Sequence, residues 1–469
     1  MTIPVLREFW IKGRNRSVRA ESKRKASFPS KHDDEVTNNT EGWVINIEEK
    51  LNQVSSFKKE DSWLDHCIFR VPRNLRVLEP KAYIPQLVSI GPYHRGKARL
   101  KEMEKHKWRL LQHVLERTGL QVKLLLEAMS ELEETARRCY ANQFEYMDSG
   151  EFVEMMLLDA CFVLELLNAS INGLIYCGYS WGDPIFSSRG VLPCIQRDML
   201  MLENQLPLFV LDRLFALTCD PNQTESVSQL ALQFFDSIIP ECRNLHHGLT
   251  SSTYRGLHLL HVVRQCLLPS SKATFQREDA KEHQPQLVGH CVTMLRDSGV
   301  KFQKKNSGKF MDIEFKKGVL HIPPLVIHDS TKSIFLNLMA FEQCYSHCSN
   351  HVTSYIRFMD GIINSSRDVG YLLDKGIIDH GLGSEEEVAF LFNTLCKDIA
   401  FDINDCYLSS VYADVNRYFD RKWHWWEASL MHQYLSNPWA ILSLLAAILL
   451  LVFTLTQTFY TVFSYYKIK

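Results

Sequence analysis

Residues Glu151–Leu167 read EFVEMMLLDACFVLELL. Apolar side chains occupy nearly every direction around a helical wheel here, so a helix over this stretch has no solvated face. Such a helix belongs at the centre of a core. Glu154, Asp159 and Glu165 interrupt the apolar run too often for a membrane span. The stretch therefore sets the fold class: mainly α, with helices packed around a buried one.

Working outward, the same periodicity recurs on both sides. In Arg99–Gly119, Leu100, Met103, Lys107, Leu110, Leu111 and Val114 form one stripe, and Gly119 is placed to cap the C-terminus. Glu127–Phe144 is polar and acidic, a solvated face or connector. Arg197–Phe215, Ser226–Ile239 and Leu257–Leu268 are further helices, with Pro207 breaking or kinking the first of them. Ser270–Gln286 is almost devoid of apolar residues and reads as a linker.

Beyond the linker the period changes. Met311, Ile313 and Phe315 alternate with polar residues, Lys317-Gly318 supplies a turn, and Leu320 and Ile322 alternate again. This predicts a small β-hairpin, stopped by Pro323-Pro324. Helices resume at Ile334–Tyr345 and His351–Ile363, and Ser384 to Glu387 forms a capping box before a further apolar helix.

The last segment differs again. Trp439–Phe463, WAILSLLAAILLLVFTLTQTFYTVF, carries no charge and is long enough to cross about 30 Å of hydrocarbon. Its eleven Leu, Ile, Val and Phe residues between Ile441 and Leu455 favour insertion by roughly −3 to −7 kcal/mol before polar deductions. Trp439, Leu445, Leu450, Phe453 and Tyr460 mark this transmembrane helix, with Trp439 and Tyr460 where aromatic belts belong. Just before it, Tyr418, Trp423, Trp425, Trp426 and Tyr434 alternate with Arg417, Arg421, Lys422 and His432. That pattern suits a helix lying among lipid headgroups, or equally aromatic core packing.

These boundaries divide the 469 residues into a basic, mobile arm (1–60), a first helical part (61–268), a linker (269–286), a second part with hairpin and helices (287–436), the span (438–463) and a short tail (464–469). The arm holds Lys12, Arg14, Arg16, Arg19, Lys23, Arg24 and Lys25 against the single acid Glu21. It suits attraction to an anionic leaflet, or alternatively organelle targeting. Arg7 and Glu8 deny it a signal-peptide core. A span at the C-terminal end then leaves the large N-terminal part in the cytosol, and the single-pass membrane could be plasma membrane or endomembrane. Thirteen cysteines without a CxxC pair suit a reducing compartment. A net charge of −1 disfavours a dedicated nucleic-acid binder.

Chemistry is harder to find. No GxSxG, P-loop, GxGxxG or HExxH motif is present, so no cofactor is expected. Cys344, His347, Cys348 and His351 share one face if helical, but one straight helix cannot surround a zinc ion tetrahedrally, and YSHCSN reads as a polar break. No metal site is expected there. Asp159, Glu165, Asp198 and Glu203 are carboxylates embedded in apolar segments, beside Asn204 and Gln205. They form either a structural polar network, satisfied by Arg197, Arg213, Asn204 or helix-end amides, or acid–base machinery. Arg70, Arg73, His94 and Arg95 belong to a basic stretch around Gly91-Pro92, either a phosphate contact or a solvated face.

Taken together, CIFRVPRNLR (67–76), YIPQLVSIGPYHRG (83–96), LLDACFVLELL (157–167), LMLENQLPLFVLDRLF (200–215), MDIEFKKGVLHIPPLVI (311–327), AFEQC (340–344), TSYIRFMDGIIN (353–364) and SNPWAILSLLAAILLL (436–451) resemble a plant-specific family, domain of unknown function 247. The resemblance runs from about Cys67 to Tyr460. It implies a mainly helical domain with a C-terminal anchor, no established enzymatic activity and no catalytic residues to carry over. Some grass members are implicated as pollen-side determinants of self-incompatibility. The expectation is a non-enzymatic, membrane-anchored protein that contacts lipid through its last helix and a protein partner through its helical domain. The alternatives are a self-incompatibility determinant, or a tethered enzyme using the embedded carboxylates.

Overall fold

The computed structural model describes residues 46–48, 66–173, 179–219 (except 181, 187 and 189), 223–239, 256–268, 289–306, 309–420 and 438–467. The chain divides into Met1–Leu64 and Asp65–Lys469. Of the first unit, residues 46–48 are an exposed helical turn. The rest of the basic arm, the 269–286 linker and the tryptophans at 423, 425 and 426 lie outside the described residues.

In the second unit the apolar stretch at 151–167 is a helix spanning Ser149–Asn172, and every residue from Met155 to Ala169 is buried. Asp148 caps its start, accepting from the Glu151 N–H at 2.8 Å. Helices Lys101–Thr118, Val122–Ser130, Glu133–Arg138, Leu208–Thr218 and Val227–Phe235 pack around it. The Lys101–Thr118 stripe buries Met103, Lys107, Leu110, Leu111 and Val114, and Gly119 ends the helix at φ +68°.

A second helix buried nearly all round, Thr331–Cys344, packs against His351–Ile362, Glu385–Leu395 and Leu259–Leu267. It also meets the short 3-10 turn Pro80–Ala82. Asn337 on this helix accepts from the Leu202 N–H at 2.9 Å and donates to the Ala82 carbonyl at 2.9 Å. The N-terminal and C-terminal stretches thus share one core, and helix exceeds strand by 60% to 6%.

The hairpin is present: β2 (Glu314–Lys316) runs antiparallel to β3 (Val319–Ile322), with Lys316 opposite Val319. The two turn residues, Lys317 and Gly318, both have positive φ (50° and 77°), the twist a two-residue hairpin requires. Three strands escaped the sequence pattern. β1 (Lys301–Lys304) adds to β3 in parallel, and β4 (Leu325–Ile327) pairs in parallel with β5 (Ile378–His380). Each has only three or four residues, too few for a period to show.

Two local expectations need correction. The Arg197–Phe215 helix is broken at Met199, eight residues before Pro207, and restarts at Leu208. Side chains of the intervening loop cause the break. Gln205 donates to the carbonyls of Met199 (2.7 Å) and Met201 (2.8 Å), and Asn204 donates to that of Asp198 (2.9 Å), so helical acceptors are satisfied without a helix. At Ser384 only half the capping box forms. Ser384 accepts from the Glu387 N–H, whereas the Glu387 carboxylate takes the N–H of Gly383 instead of the cap residue's own.

The C-terminal helix spans Pro438–Lys467, and its Leu442–Phe463 stretch is long and apolar enough to cross a membrane. None of that stretch is buried, unlike a core helix of a soluble fold. Trp439, Leu445, Leu450, Phe453 and Tyr460 are all exposed. The hydroxyls of Thr454, Thr456, Thr458 and Thr461 each donate to the carbonyl four residues earlier, which lowers the cost of carrying them in hydrocarbon.

Gly91 is the tightest backbone approach in the core. It sits at φ +72°, and an added Cβ would lie 2.5 Å from the Gln205 carbonyl oxygen. Gly91→Ala should therefore lower stability by about 2 kcal/mol or more, from left-handed strain plus the clash. Denaturant unfolding of the full chain checks this; an unchanged midpoint would contradict it.

Candidate functional site

The segment from Ile84 to Tyr93 lies mostly inside the protein without regular secondary structure beyond a few turns. A buried backbone must find hydrogen-bond partners, and this one has no sheet or helix to supply them. Side chains supply them instead. Asp198 Oδ2 accepts from three consecutive N–H groups, those of Gln86 (2.8 Å), Leu87 (2.7 Å) and Val88 (3.2 Å). Its other oxygen meets Arg197 at 2.8 Å. Asn204 accepts from the Ile90 N–H (2.7 Å) and donates to the Val88 carbonyl (3.1 Å). Asp159 accepts from the Gly91 N–H (2.8 Å) and pairs with Lys107 Nζ (2.6 Å), which also donates to the Ser89 carbonyl.

Glu203 sits at the edge of the same assembly. It accepts from the Val71 N–H at 2.8 Å, pairs with Arg76, and lies 3.4 Å from His94 Nε2. Gln205 completes the loop, accepting from the Leu260 N–H at 3.1 Å, while its own carbonyl accepts from the Tyr140 hydroxyl at 3.0 Å. Five of the six residues singled out in the sequence are therefore brought together. Glu165 is not among them: Arg117 and the Tyr179 hydroxyl (2.6 Å) hold it elsewhere on the central helix. Arg197 does pair with a buried carboxylate, but Arg213 meets the exposed Glu131 instead.

Burial pushes the carboxyl groups of Asp159, Asp198 and Glu203 up. Lys107 opposes this at Asp159, the backbone N–H donors at Asp198, and the Val71 N–H and Arg76 at Glu203. All three carboxylates are buried. A small pocket of about 20 Å³, room for little more than one water molecule, is lined by Ile238, Leu267, Phe310, Leu325, Phe335 and neighbouring side chains, with none of the three carboxylates among them. Apart from Thr331 its lining is apolar and has no titratable group.

The basic stretch is divided by the fold. Arg95 is tied to Glu154 at 2.9 Å. Arg73 is exposed at the start of the short Arg73–Leu78 helix. Arg70 is exposed and lies over the Tyr93 ring at 5.4 Å, whereas His94 is buried. No group of His, Cys, Asp and Glu suited to a metal ion occurs among the described residues. Cys344 ends one helix and His351 begins the next, separated by the expected polar break.

Several partners carried no sequence signal as such. A second fully buried ion pair joins Arg264 to Glu342, whose oxygens also accept from the N–H groups of Val352 (3.0 Å) and Thr353 (2.8 Å). Lys107 was visible only as the one charge in an apolar stripe, and that oddity was its signal. Asn337 had none.

A family model described as a plant protein of unknown function, DUF247, matches residues 68–453. The chain belongs to this family. It is 34% identical over 428 residues to UPF0481 protein At3g47200 of Arabidopsis thaliana, covering 86% of this chain and 87% of that one. It is also 24% identical over 524 aligned positions to the putative UPF0481 protein At3g02645 of the same plant, covering 90% and 95%. No solved structure matches. The matched range takes in the whole polar assembly and most of the apolar C-terminal helix.

Four histidines are held neutral by burial: His94 and His258 are lowered to about 3, His261 and His351 to about 4. The unfolded chain protonates these near 6.5, so it binds more protons than the folded one between about 4 and 6.5. Their contribution to stability is present above 6.5 and is lost as pH falls. His258 accepts from the His261 N–H and contacts the Cys67 carbonyl at 3.1 Å, which fixes its neutral tautomer. His258→Asn keeps a helix-capping acceptor and should flatten the pH dependence of unfolding by about 1.4 kcal/mol per pH unit. An unchanged slope would contradict this.

Proposed function

We propose that this chain is a non-enzymatic recognition or signalling protein, held on a membrane by its Pro438–Lys467 helix. Its helical domain stands on the cytosolic side and engages a protein partner. One observation carries the reading against the enzymatic alternative. The embedded carboxylates that would serve as acid and base already accept from backbone N–H groups or cationic side chains. A general acid or base must reach a substrate, and Asp159 and Asp198 are covered on every side. Anchoring is supported by an exposed, uncharged helix of spanning length. None of the eleven described cysteines is joined in a disulfide and most are at least half-buried, which agrees with a reducing compartment.

Two experiments test the two halves of this reading. The full chain should stay with membranes under alkaline extraction, and its N-terminal domain should be digested by protease added to sealed vesicles with the cytosolic face outward. Removal of residues 438–469 should release it. Protection of the domain, or retention of the shortened chain, would contradict the topology. For the second half, Asp159→Ala should lower stability by about 3–5 kcal/mol, because the buried Lys107 loses its partner, and Glu203→Ala should lower it by less, because Arg76 is partly exposed. A variant that keeps its midpoint while a measurable turnover disappears would establish the enzymatic reading instead.

A further inference from the structure

Around Glu203 the charges do not balance. Arg76 pairs with it, and Lys97 donates to Nδ1 of His94, whose Nε2 faces the same carboxylate. Arg70 stacks over Tyr93, the residue preceding His94. Arg70, Arg76, Lys97 and Arg99 all act electrostatically on the buried His94 ring, and Arg70, Arg76 and Lys97 also act on Glu203. Three cations thus act on one carboxylate, and a fourth, Arg99, acts on the histidine and lysine beside it. Among the described residues, neither Arg70 nor Arg99 has a carboxylate partner. Lys97 is pushed down by partial burial and by Arg99, Arg70 and Arg76, against which Glu203 pushes it up.

Two further features sharpen the imbalance. Lys97 and Arg99 precede the eighteen-residue Lys101–Thr118 helix, whose N-terminal end is the positive end of its dipole and disfavours cations. The Nε2 of His94 and the Nε of Arg76 are buried without a well-formed hydrogen bond. The base of the cluster is rigid, because Glu203 fixes Arg76 and is itself fixed by the Val71 N–H. The rim is open, because Arg70, Lys97 and Arg99 are exposed.

We propose that Arg70, Lys97 and Arg99, seated on the Arg76–Glu203–His94 base, bind a phosphate monoester. A dianion answers the surplus of positive charge better than a single carboxylate would. Guanidinium groups match phosphate oxygens in pairs, and Lys97 retains donors beyond the one given to His94. The phosphate can be free in solution or carried on a lipid headgroup. The site does not depend on the membrane-anchoring reading, since it lies wholly within residues 70–203.

The test uses the full chain in nanodiscs of uncharged lipid. Calorimetric titration with inorganic phosphate forms one arm, and with short-chain phosphatidylinositol monophosphate the other. Saturable binding in either arm is expected, and the arm that binds identifies the source. Arg70→Ala, Lys97→Ala and Arg99→Ala should each weaken it roughly tenfold. Lys123→Ala removes an equal charge at an exposed position of the Val122–Ser130 helix, outside the cluster, and should leave affinity unchanged. Unfolding midpoints of Arg70→Ala and Arg99→Ala should match the parent chain, because the Arg76–Glu203–His94 base and its Lys97 contact are intact. No saturable binding in either arm overturns the proposal, and so does an equal loss in Lys123→Ala.

Discussion

One carboxylate oxygen, Asp198 Oδ2, accepts three successive backbone N–H groups, and the rest of the N-terminal core is arranged around that arrangement. The chain between Gln86 and Gly91 runs through the interior without belonging to a helix or a sheet. Seven of its backbone groups are satisfied by Asp198, Asn204, Lys107 and Asp159. Left unmade, the five that belong to the buried residues Val88–Gly91, at about 1–3 kcal/mol each, would cost roughly 5–15 kcal/mol. That is as large as the whole stability of a typical domain. The network is therefore a condition of the fold, and it explains why carboxylates stand in otherwise apolar helices.

The same constraint links the distant parts of the chain. Asp159 comes from the central helix, Asp198 from the last turn of the helix that ends at Met199, Asn204 from the loop after it, and Lys107 from the Lys101–Thr118 helix. Asn337 from the C-terminal half secures Leu202 and Ala82. Arg264 and Glu342 repeat the device, with a buried carboxylate receiving both a guanidinium and two N–H groups at the start of the His351–Ile362 helix. Asp159, Asp198 and Glu203 are spent on irregular backbone and Glu342 on a helix start, whereas Glu165 is held by side chains alone.

Much of the helical architecture was readable beforehand, because periodicity over four or more turns leaves little choice. The Met103–Val114 stripe, the Gly119 cap and the all-round burial of Met155–Ala169 follow directly from apolar spacing. The hairpin at Lys317-Gly318 was readable for a different reason, since a turn with two positive φ values selects its residues. What escaped was non-local. Parallel pairing of β4 with β5 joins residues fifty positions apart, and nothing in LVI or IDH announces its partner. A break in this helix, with Asn204 and Gln205 satisfying the freed backbone groups, was readable from Pro207; its position at Met199 was not, because those side chains bond carbonyls well before the proline. The polar site was half readable: the embedded carboxylates stood out, whereas their main partners were backbone groups of a segment that shows no pattern.

Amide hydrogen exchange across residues 84–93, compared between the full chain and Asp198→Asn, probes this dependence most directly. The account predicts that the amides of Gln86, Leu87, Val88, Ile90 and Gly91 exchange as slowly as those of the central helix. In the variant, which keeps size but loses the charge, the first three should exchange much faster. Fast exchange of Gln86, Leu87 and Val88 in the parent chain, or unchanged protection in the variant, would contradict it.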